Sequence, residues 1–475
     1  MGSDILSVGI DIGTSTTQVI FSRISMENTS GYFAVPHIAI TDKEVIYKSD
    51  IYTTPLKNSY LIDGDAVRDI VSGEFSKAGF SPSDTQTGAV IITGESARKE
   101  NSALVLEKLS DLAGEFVVST AGPDLESVIA GKGSGAQSYS DDNACVAANL
   151  DIGGGTTNIV IFDCGKVIAK GCLDIGGRLV KLDGNYRVSY ISPSAKRISD
   201  RLGLDIEEGK TTDVGALKRL CGEMAAVLEQ ALVLAERSEA YESAVTGGSS
   251  ALTIDKPIGA ICFSGGVADC IYTPGGDYLR YGDIGVLLGE AIRAGRLYSD
   301  FRLIPPRETI RATVVGAGTY TTSISGSTIA YSHDILPLKN VPVLKLTASE
   351  EAEALKGNSD FIRDKVGWFL AQSDSDLLIL ALRGASNPTY DEIKLMARAI
   401  GGGMDLALQP DKPLLIITET DIAKALGQAI IRLFPGRKVV SVDSVSVEDG
   451  DFVDMGRPLM NGVVIPVVVK TLIFG

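Results

Sequence analysis

Residues 8–17 read VGIDIGTSTT, and residues 149–158 read NLDIGGGTTN. No other feature of the chain restricts its fold as much as this repeat. Aligned on Asp11 and Asp151, the copies agree at five of seven positions, Asp, Ile, Gly, Thr and Thr, and lie 140 residues apart (151 − 11). Each opens on apolar residues and passes through a short stretch of Gly, Ser and Thr. Each then enters a second β-prone run, Val19-Ile20-Phe21 in one and Ile159-Val160-Ile161-Phe162 in the other. Apolar run, small-residue turn, apolar run predicts a β-hairpin. Gly153, Gly154 and Gly155 permit positive φ and close approach of the backbone. Exposed N–H groups and hydroxyls at such a turn cradle an anion such as phosphate. An Asp at the strand end suits a hard cation such as Mg²⁺. A single copy would pass as an ordinary glycine turn. Two copies argue for two related lobes.

The rest of the chain alternates strand and helix. A helix is expected over 61–79, stopped by Gly79, then a strand over 88–94, a helix through Leu109 and a strand at 116–119. Residues 125–136 form a small-residue segment that opens with Glu126. A carboxylate there is also what a helix N-terminus favours through its dipole. Gly176-Gly177 reads as a helix entry, and 215–237 as an amphipathic helix carrying Leu217, Leu220, Met224, Val227 and Leu228. A third buried strand, 258–264, ends in Gly265-Gly266. A second small-residue helix, 310–322, centres on Gly316-Ala317-Gly318. The stretch 333–342, with Pro337 and Pro342, reads as a loop and sets a boundary between 1–332 and 333–475. The second unit is expected to be α/β, with strands at 377–382, 413–419, 438–447 and 462–474 and helices at 391–404 and 421–433.

Several functions are disfavoured. A net charge of −16 argues against a nucleic-acid or anionic-membrane partner, both of which want a basic face. No uncharged apolar run reaches the ~18 residues of a membrane span, and a core-type strand within the first ten residues leaves no room for a secretory signal. The six cysteines form no C-x-x-C pair and mostly sit in apolar runs, as in a reducing, cytoplasmic setting. Only two histidines, His37 and His333, are present, which disfavours a His-rich metal site or a Ser-His-Asp triad. Gly209-Lys210-Thr211 mimics the end of a P-loop, but the required first glycine position is Leu204. A dinucleotide-type G-x-G-x-x-G at 131–136 fails at Ala136.

In this order, the two hairpins, the two small-residue helices and the Gly265-Gly266 strand end resemble the actin/Hsp70/sugar-kinase ATPase superfamily. The resemblance implies an α/β fold of two duplicated, ribonuclease H-type ATPase lobes, followed here by a C-terminal α/β domain. It implies that Asp11 and Asp151 face Mg²⁺ and its waters. Gly13, Thr14, Ser15 and Thr16 would wrap the phosphates of ATP together with Gly153, Gly154, Gly155 and Thr156. Gly265 and Gly266 would approach the adenosine, Gly316 would belong to the nucleotide site, and the small-residue helices would cross at a hinge. Glu126 matches the superfamily's water-positioning Glu, although the Pro usually beside it is absent.

A narrower resemblance runs from residue 5 to near the C-terminus. SVGIDIGTSTTQVIFSRI, GAVIITGESARKEN, VVSTAGPDLESVIAGKGSGAQS, NLDIGGGTTNIVIFDCGKV, RATVVGAGTYTTSISGSTI and DFVDMGRPLMNGVVIPVVVK are similar to segments of the EutA family of ethanolamine ammonia-lyase reactivating factors. That implies an ATP-dependent chaperone whose partner is ethanolamine ammonia-lyase, an adenosylcobalamin enzyme. The chaperone would expel the damaged corrinoid so that intact cofactor can enter. It would be cytoplasmic, alone or with the ethanolamine-utilization microcompartment, and a homodimer is the self-association to test. The chain lacks a D-x-H-x-x-G corrinoid motif, since Val35 and Tyr331 precede the two histidines at the Asp position, so the cobalamin is handled on the partner. A small-molecule kinase of the same fold and a filament-forming actin-like ATPase are the alternatives. A general Hsp70-like chaperone would need a peptide-binding β domain, which 333–475 does not resemble.

Overall fold

The computed structural model describes residues 3–30, 38–58, 61–94, 96, 99–110, 117–120, 123–247, 249, 252–320, 322–326, 328–373, 375–460 and 462–471. His37, Phe116 and the last residues of the strand expected over 462–474 lie outside them.

The first repeat is the antiparallel pair Ser3–Ile12 and Thr16–Asn28, with Asp11 opposite Gln18. Ile38–Lys48 adds outside Thr16–Asn28. On the other side Thr87–Ile92 and then Val117–Thr120 add parallel to Ser3–Ile12. The second repeat is the antiparallel pair Val146–Ile152 and Thr157–Asp163, with Asp151 opposite Asn158. Lys166–Leu173 adds outside it, and Ala260–Ser264 then Arg302–Leu303 add in parallel. Strand order and direction are therefore identical in the two sheets. The duplication first seen over seven residues covers five strands of each sheet, and the first sheet adds one short strand, Tyr52–Thr53, against Thr16–Asn28. This is the duplicated α/β architecture expected from the sequence.

Parallel central strands are covered on both faces, so they read as continuous apolar runs. All of Thr87–Ile92 is buried. On one face Val8, Ile10 and Ile12 meet Val67, Val71 and Phe75 of the helix Gly64–Ala78. That helix is capped by Asp63 and stopped by Gly79 at φ 76°. In the second lobe, Asp213 caps the helix Val214–Ala231. Its Leu217, Leu220, Met224, Val227 and Leu228 are buried against the sheet, each such side chain contributing about 1.5–3 kcal/mol. The helix ends at Ala231, short of the expected 237, and Val233 takes φ 60° just beyond.

The small-residue helices are Pro123–Gly133 and Ala312–Tyr320. They meet backbone to backbone. A Cβ on Gly133 would lie 1.9 Å from the Ala312 carbonyl oxygen, and one on Gly316 2.0 Å from that of Ile129. Each packs chiefly on the lobe it does not follow in sequence. Pro123–Gly133 lies on the second sheet and Ala312–Tyr320 on the first. Gly9 allows the latter contact, since a Cβ there would meet the Val314 oxygen at 2.7 Å.

The C-terminal unit is an eight-stranded sheet in the order Thr322–Ile324, Pro466–Thr471, Asp451–Met455, Leu338–Lys345, Ile379–Leu382, Leu414–Thr418, Val439–Val442, Ala330–Tyr331. The four strands from Leu338–Lys345 to Val439–Val442 are parallel. The helices Asp360–Gln372, Tyr390–Ala407 and Ala423–Leu433 supply the core of one face. Two expectations need correction. Strands of this sheet begin at Thr322, ahead of the boundary placed at 333, and the supposed loop 333–342 runs into the strand Leu338–Lys345. Pro342 lies opposite Phe452, past the irregular register between Leu338 and Val341 where the strand begins to pair with Asp451–Met455. Val464 docks the unit onto Ile5, Ile24 and Met26 of the first lobe. Among the described residues no helix is long and apolar enough to cross a membrane.

Candidate active site

Both hairpins close with the same turn. The Gly13 N–H donates to the Thr16 carbonyl at 2.8 Å, and the Gly153 N–H to the Thr156 carbonyl at 2.9 Å. The turns are buttressed differently. Behind the first, Thr54 Oγ1 and Ser96 Oγ donate to the Gly13 carbonyl at 2.8 and 3.0 Å. Behind the second lies the Gly176-Gly177 segment. It is not a helix entry: the chain turns there so that the Gly177 and Arg178 N–H groups donate to the Gly153 and Gly154 carbonyls at 3.0 and 2.7 Å. Gly176 is required by this contact, because a Cβ on it would lie 2.4 Å from the Gly154 oxygen.

The turns open on one cleft of about 1030 Å³, open solvent included. Asp11, Gly13, Thr14, Ser15, Thr16, Glu126, Asp151, Gly153, Gly154, Gly155, Thr156, Gly265 and Gly266 all line it. Gly316 does not. It serves the helix crossing instead, and Ile310 and Thr313 are what that segment gives to the cleft. Gly265, at φ 84°, lets the strand end approach Ile152, whose oxygen is 2.4 Å from the position of a Cβ. Gly266 leaves a bare backbone facing the space.

Three carboxyls face one another in the floor. Asp11 is 7% exposed and accepts from Thr93 Oγ1 at 3.0 Å. Burial pushes its pKa up to about 7; the Thr93 hydrogen bond pulls down and the charge of Asp151 adds to the rise. Asp151 accepts from Ser264 Oγ at 2.6 Å and Thr313 Oγ1 at 3.5 Å. Burial raises it to about 6 against those two hydroxyls. Glu126 accepts from the Gly94 N–H at 3.3 Å. Burial, then the charges of Asp151 and Asp11, hold its pKa well above the usual carboxylate range. Three buried carboxyls with raised proton affinity, two of them raised further by a neighbouring carboxylate, fit a site that receives positive charge.

The donor set fits Mg²⁺ in one manner. Among the described residues no three His, Cys, Asp or Glu side chains form a metal cage. Mg²⁺ asks for less, one or two carboxylates with waters and substrate phosphates completing its shell. Two further hard oxygens, Gln18 Oε1 and Asn158 Oδ1, are buried and have no hydrogen-bond partner in the protein. Each belongs to the residue directly across the strand pair from its aspartate. The signal for them was in the repeat: a primary amide stands seven residues after each Asp (18 − 11 and 158 − 151). Val267, Asp269, Tyr281 and Asp283 also line the cleft, and Arg178 flanks the second turn. Val267 continues the Gly265-Gly266 strand end and Asp269 lies in the short helix Ala268–Tyr272 after it, whereas Arg178, Tyr281 and Asp283 come from segments that no motif marks.

The model of the family described as ethanolamine utilisation protein EutA matches residues 3–475 of the chain. The chain is 35% identical over 470 residues to a Salmonella typhimurium protein named ethanolamine ammonia-lyase reactivase EutA, covering 99% of this chain and 98% of that protein. It is 34% identical over 477 residues to the Escherichia coli protein of the same name, with the same coverage. A solved structure of an Aquifex aeolicus member of the Ppx/GppA family overlaps 66% of this chain and 97% of its own at 14% identity, with a TM-score of 0.41. The fold assignment rests on the two matching sheets and not on that overlap.

Proposed function

The chain belongs to the ethanolamine utilisation protein EutA family, and from that premise we propose that it is an ATP-driven reactivase of ethanolamine ammonia-lyase. The observation that carries the ATP-dependent part is the pair of equivalent turns, each entered from a strand end that carries a buried aspartate, opening on a single cleft. The relatives that match over nearly the whole chain carry a reactivase name, which is why the kinase and filament readings are not favoured.

In this reading the turn N–H groups and the hydroxyls of Thr14, Ser15, Thr16 and Thr156 receive the phosphates from both lobes. Asp11 and Asp151, with the free amide oxygens of Gln18 and Asn158, hold Mg²⁺ and its waters. Bound Mg²⁺ supplies neutralisation of the phosphate charge. Glu126 orients the attacking water, and once the charges of Asp11 and Asp151 are offset by Mg²⁺ its carboxylate form can accept the water's proton. The bare backbone at Gly266 admits the adenosine. Gripping one nucleotide from both turns draws the lobes together about the helix crossing. Open and closed forms then differ in affinity for the lyase, and hydrolysis alternates them. The corrinoid stays on the lyase throughout, and its damaged form leaves as the partner is strained.

The test is rescue. Ethanolamine ammonia-lyase inactivated with cyanocobalamin is mixed with this protein, Mg-ATP and adenosylcobalamin, and ethanolamine deamination is followed. Recovery that needs ATP is expected. Hydrolysis without recovery would leave an ATPase with another task, and neither would overturn the site as well.

A further inference from the structure

A nucleotide triphosphate brings about four negative charges into a cleft that already holds five carboxyls, those of Asp11, Glu126, Asp151, Asp269 and Asp283. Among the described residues lining it there is a single cationic side chain, Arg178. The placement of that side chain is unusual. Its own N–H is bonded to the Gly154 carbonyl at 2.7 Å, so its backbone moves with the second turn. Its Cβ and Cδ lie 3.5 and 3.4 Å from where a Cβ on Gly154 would stand, and Ser15 Oγ of the opposite turn is 3.2 Å from the same point. The root of Arg178 therefore sits where the two turns come closest.

The guanidinium is only loosely held. Nε donates to Asp283 Oδ2 at 3.4 Å, a long bond, and the side chain is 39% exposed against 8% for Asp283. Asp283 keeps a second donor, the Gly285 N–H at 2.8 Å, so it is not orphaned when Arg178 leaves. A planar fork with two terminal nitrogens, at the junction of two phosphate-type turns, matches a phosphate bidentately.

We infer that Arg178 is a nucleotide-contacting catalytic residue: it exchanges Asp283 for the phosphate tail and bridges the second turn to the bound nucleotide. Asp283 is the positioning residue that parks the guanidinium when the cleft is empty. The inference rests on the cleft being the ATP site. It goes further in assigning the counter-charge for the tail to one side chain.

Calorimetric titration of the full-length protein in Mg²⁺ with a non-hydrolysable ATP analogue, and separately with adenosine, tests it. Arg178→Ala should weaken the analogue about 10- to 100-fold, the range of one hydrogen bond between charged groups, and leave adenosine unchanged. Arg178→Lys should restore part of the loss, since it returns the charge but not the fork. Asp283→Asn should bind the analogue at least as tightly as wild type, because it frees the guanidinium. Equal weakening of analogue and adenosine in Arg178→Ala would mean a merely structural role and overturn the inference. So would an unchanged analogue affinity. If wild type prefers the analogue over adenosine and rescues the lyase while Arg178→Ala keeps that preference, only this inference falls. If wild type binds no nucleotide, the proposed function falls with it.

Discussion

The two hairpins share a turn, a strand register, a buried aspartate and a buried amide, yet they are supported by different chemistry. The first turn is backed by hydroxyls, from Thr54 and Ser96 onto Gly13 and from Thr93 onto Asp11. The second is backed by the N–H groups of a glycine segment that also presents a guanidinium. Asp151 has two hydroxyl donors where Asp11 has one, and the proton is held more tightly at Asp11, about 7 against about 6. Duplication kept the geometry of the clamp and let its charge diverge. Both aspartates bind a proton more tightly than a free carboxylate, and only the second half adds a cationic side chain, Arg178.

The comparison breaks most readily at the aspartates. Asp11→Asn and Asp151→Asn should each cut Mg-ATP hydrolysis by about 10²–10³-fold, on the scale of losing one preorganised charge-stabilising group. Full hydrolysis in either variant would remove that residue from the site. The same variants should differ in stability without nucleotide. The native state binds the Asp11 proton more tightly than the unfolded chain does, so stability falls as pH rises from about 4 to about 7. The full deficit above pH 7 is up to about 4 kcal/mol for Asp11 and about 3 for Asp151. Asp11→Asn should therefore raise the melting temperature at pH 8 more than Asp151→Asn, and neither should do so at pH 3.5. Equal shifts at pH 8 would mean that the two halves are electrostatically alike.

A third contrast concerns the buttresses. Gly176→Ala forces a Cβ against the Gly154 carbonyl and should displace the second turn, weakening nucleotide binding. Thr54→Val removes one hydroxyl from the first turn and should cost about 1 kcal/mol of stability by denaturant melt. A reversed order would show that the first turn depends more on its support. The smallest effect is expected from Gly155→Ala, which meets nothing within 4 Å and should fold as wild type by circular dichroism. Its use is to show whether the ligand, and not the protein, needs that space.

The hairpins, the aspartates and the crossing helices were legible because each is written in a contiguous stretch with its own period and its own small residues. Glu126 could be named only through a resemblance, since a carboxylate near a helix start has a simpler explanation. Arg178 and Asp283 were not legible, because they lie 105 residues apart and meet only after the loop at Gly176 turns back. In the sequence that loop resembles a helix entry, because Gly-Gly signals a break and leaves the next element open. Gly316 serves the helix crossing and not the cleft, which its sequence cannot distinguish. A glycine in a small-residue helix admits a backbone, and nothing in the sequence says whether that backbone belongs to another helix or borders a ligand. Leu338–Lys345 is hard to see in the sequence because Pro337 precedes it and Pro342 lies within it, and prolines signal a loop, whereas Pro342 keeps its place opposite Phe452 in the sheet.

The exchange of helices between the lobes bears on what counts as a folding unit. Pro123–Gly133 follows the first lobe in sequence but covers the sheet of the second, and Ala312–Tyr320 does the reverse. A chain divided in the turn near Asn143 would yield two pieces that each look like a domain on paper. Each would hold a helix with nowhere to bury it and a sheet bare on one side. Neither half should be stable alone, and the two should recover a native assembly only when refolded together. The repeat that announces two lobes in the sequence describes ancestry, and the smallest autonomous body in this part of the molecule is the pair.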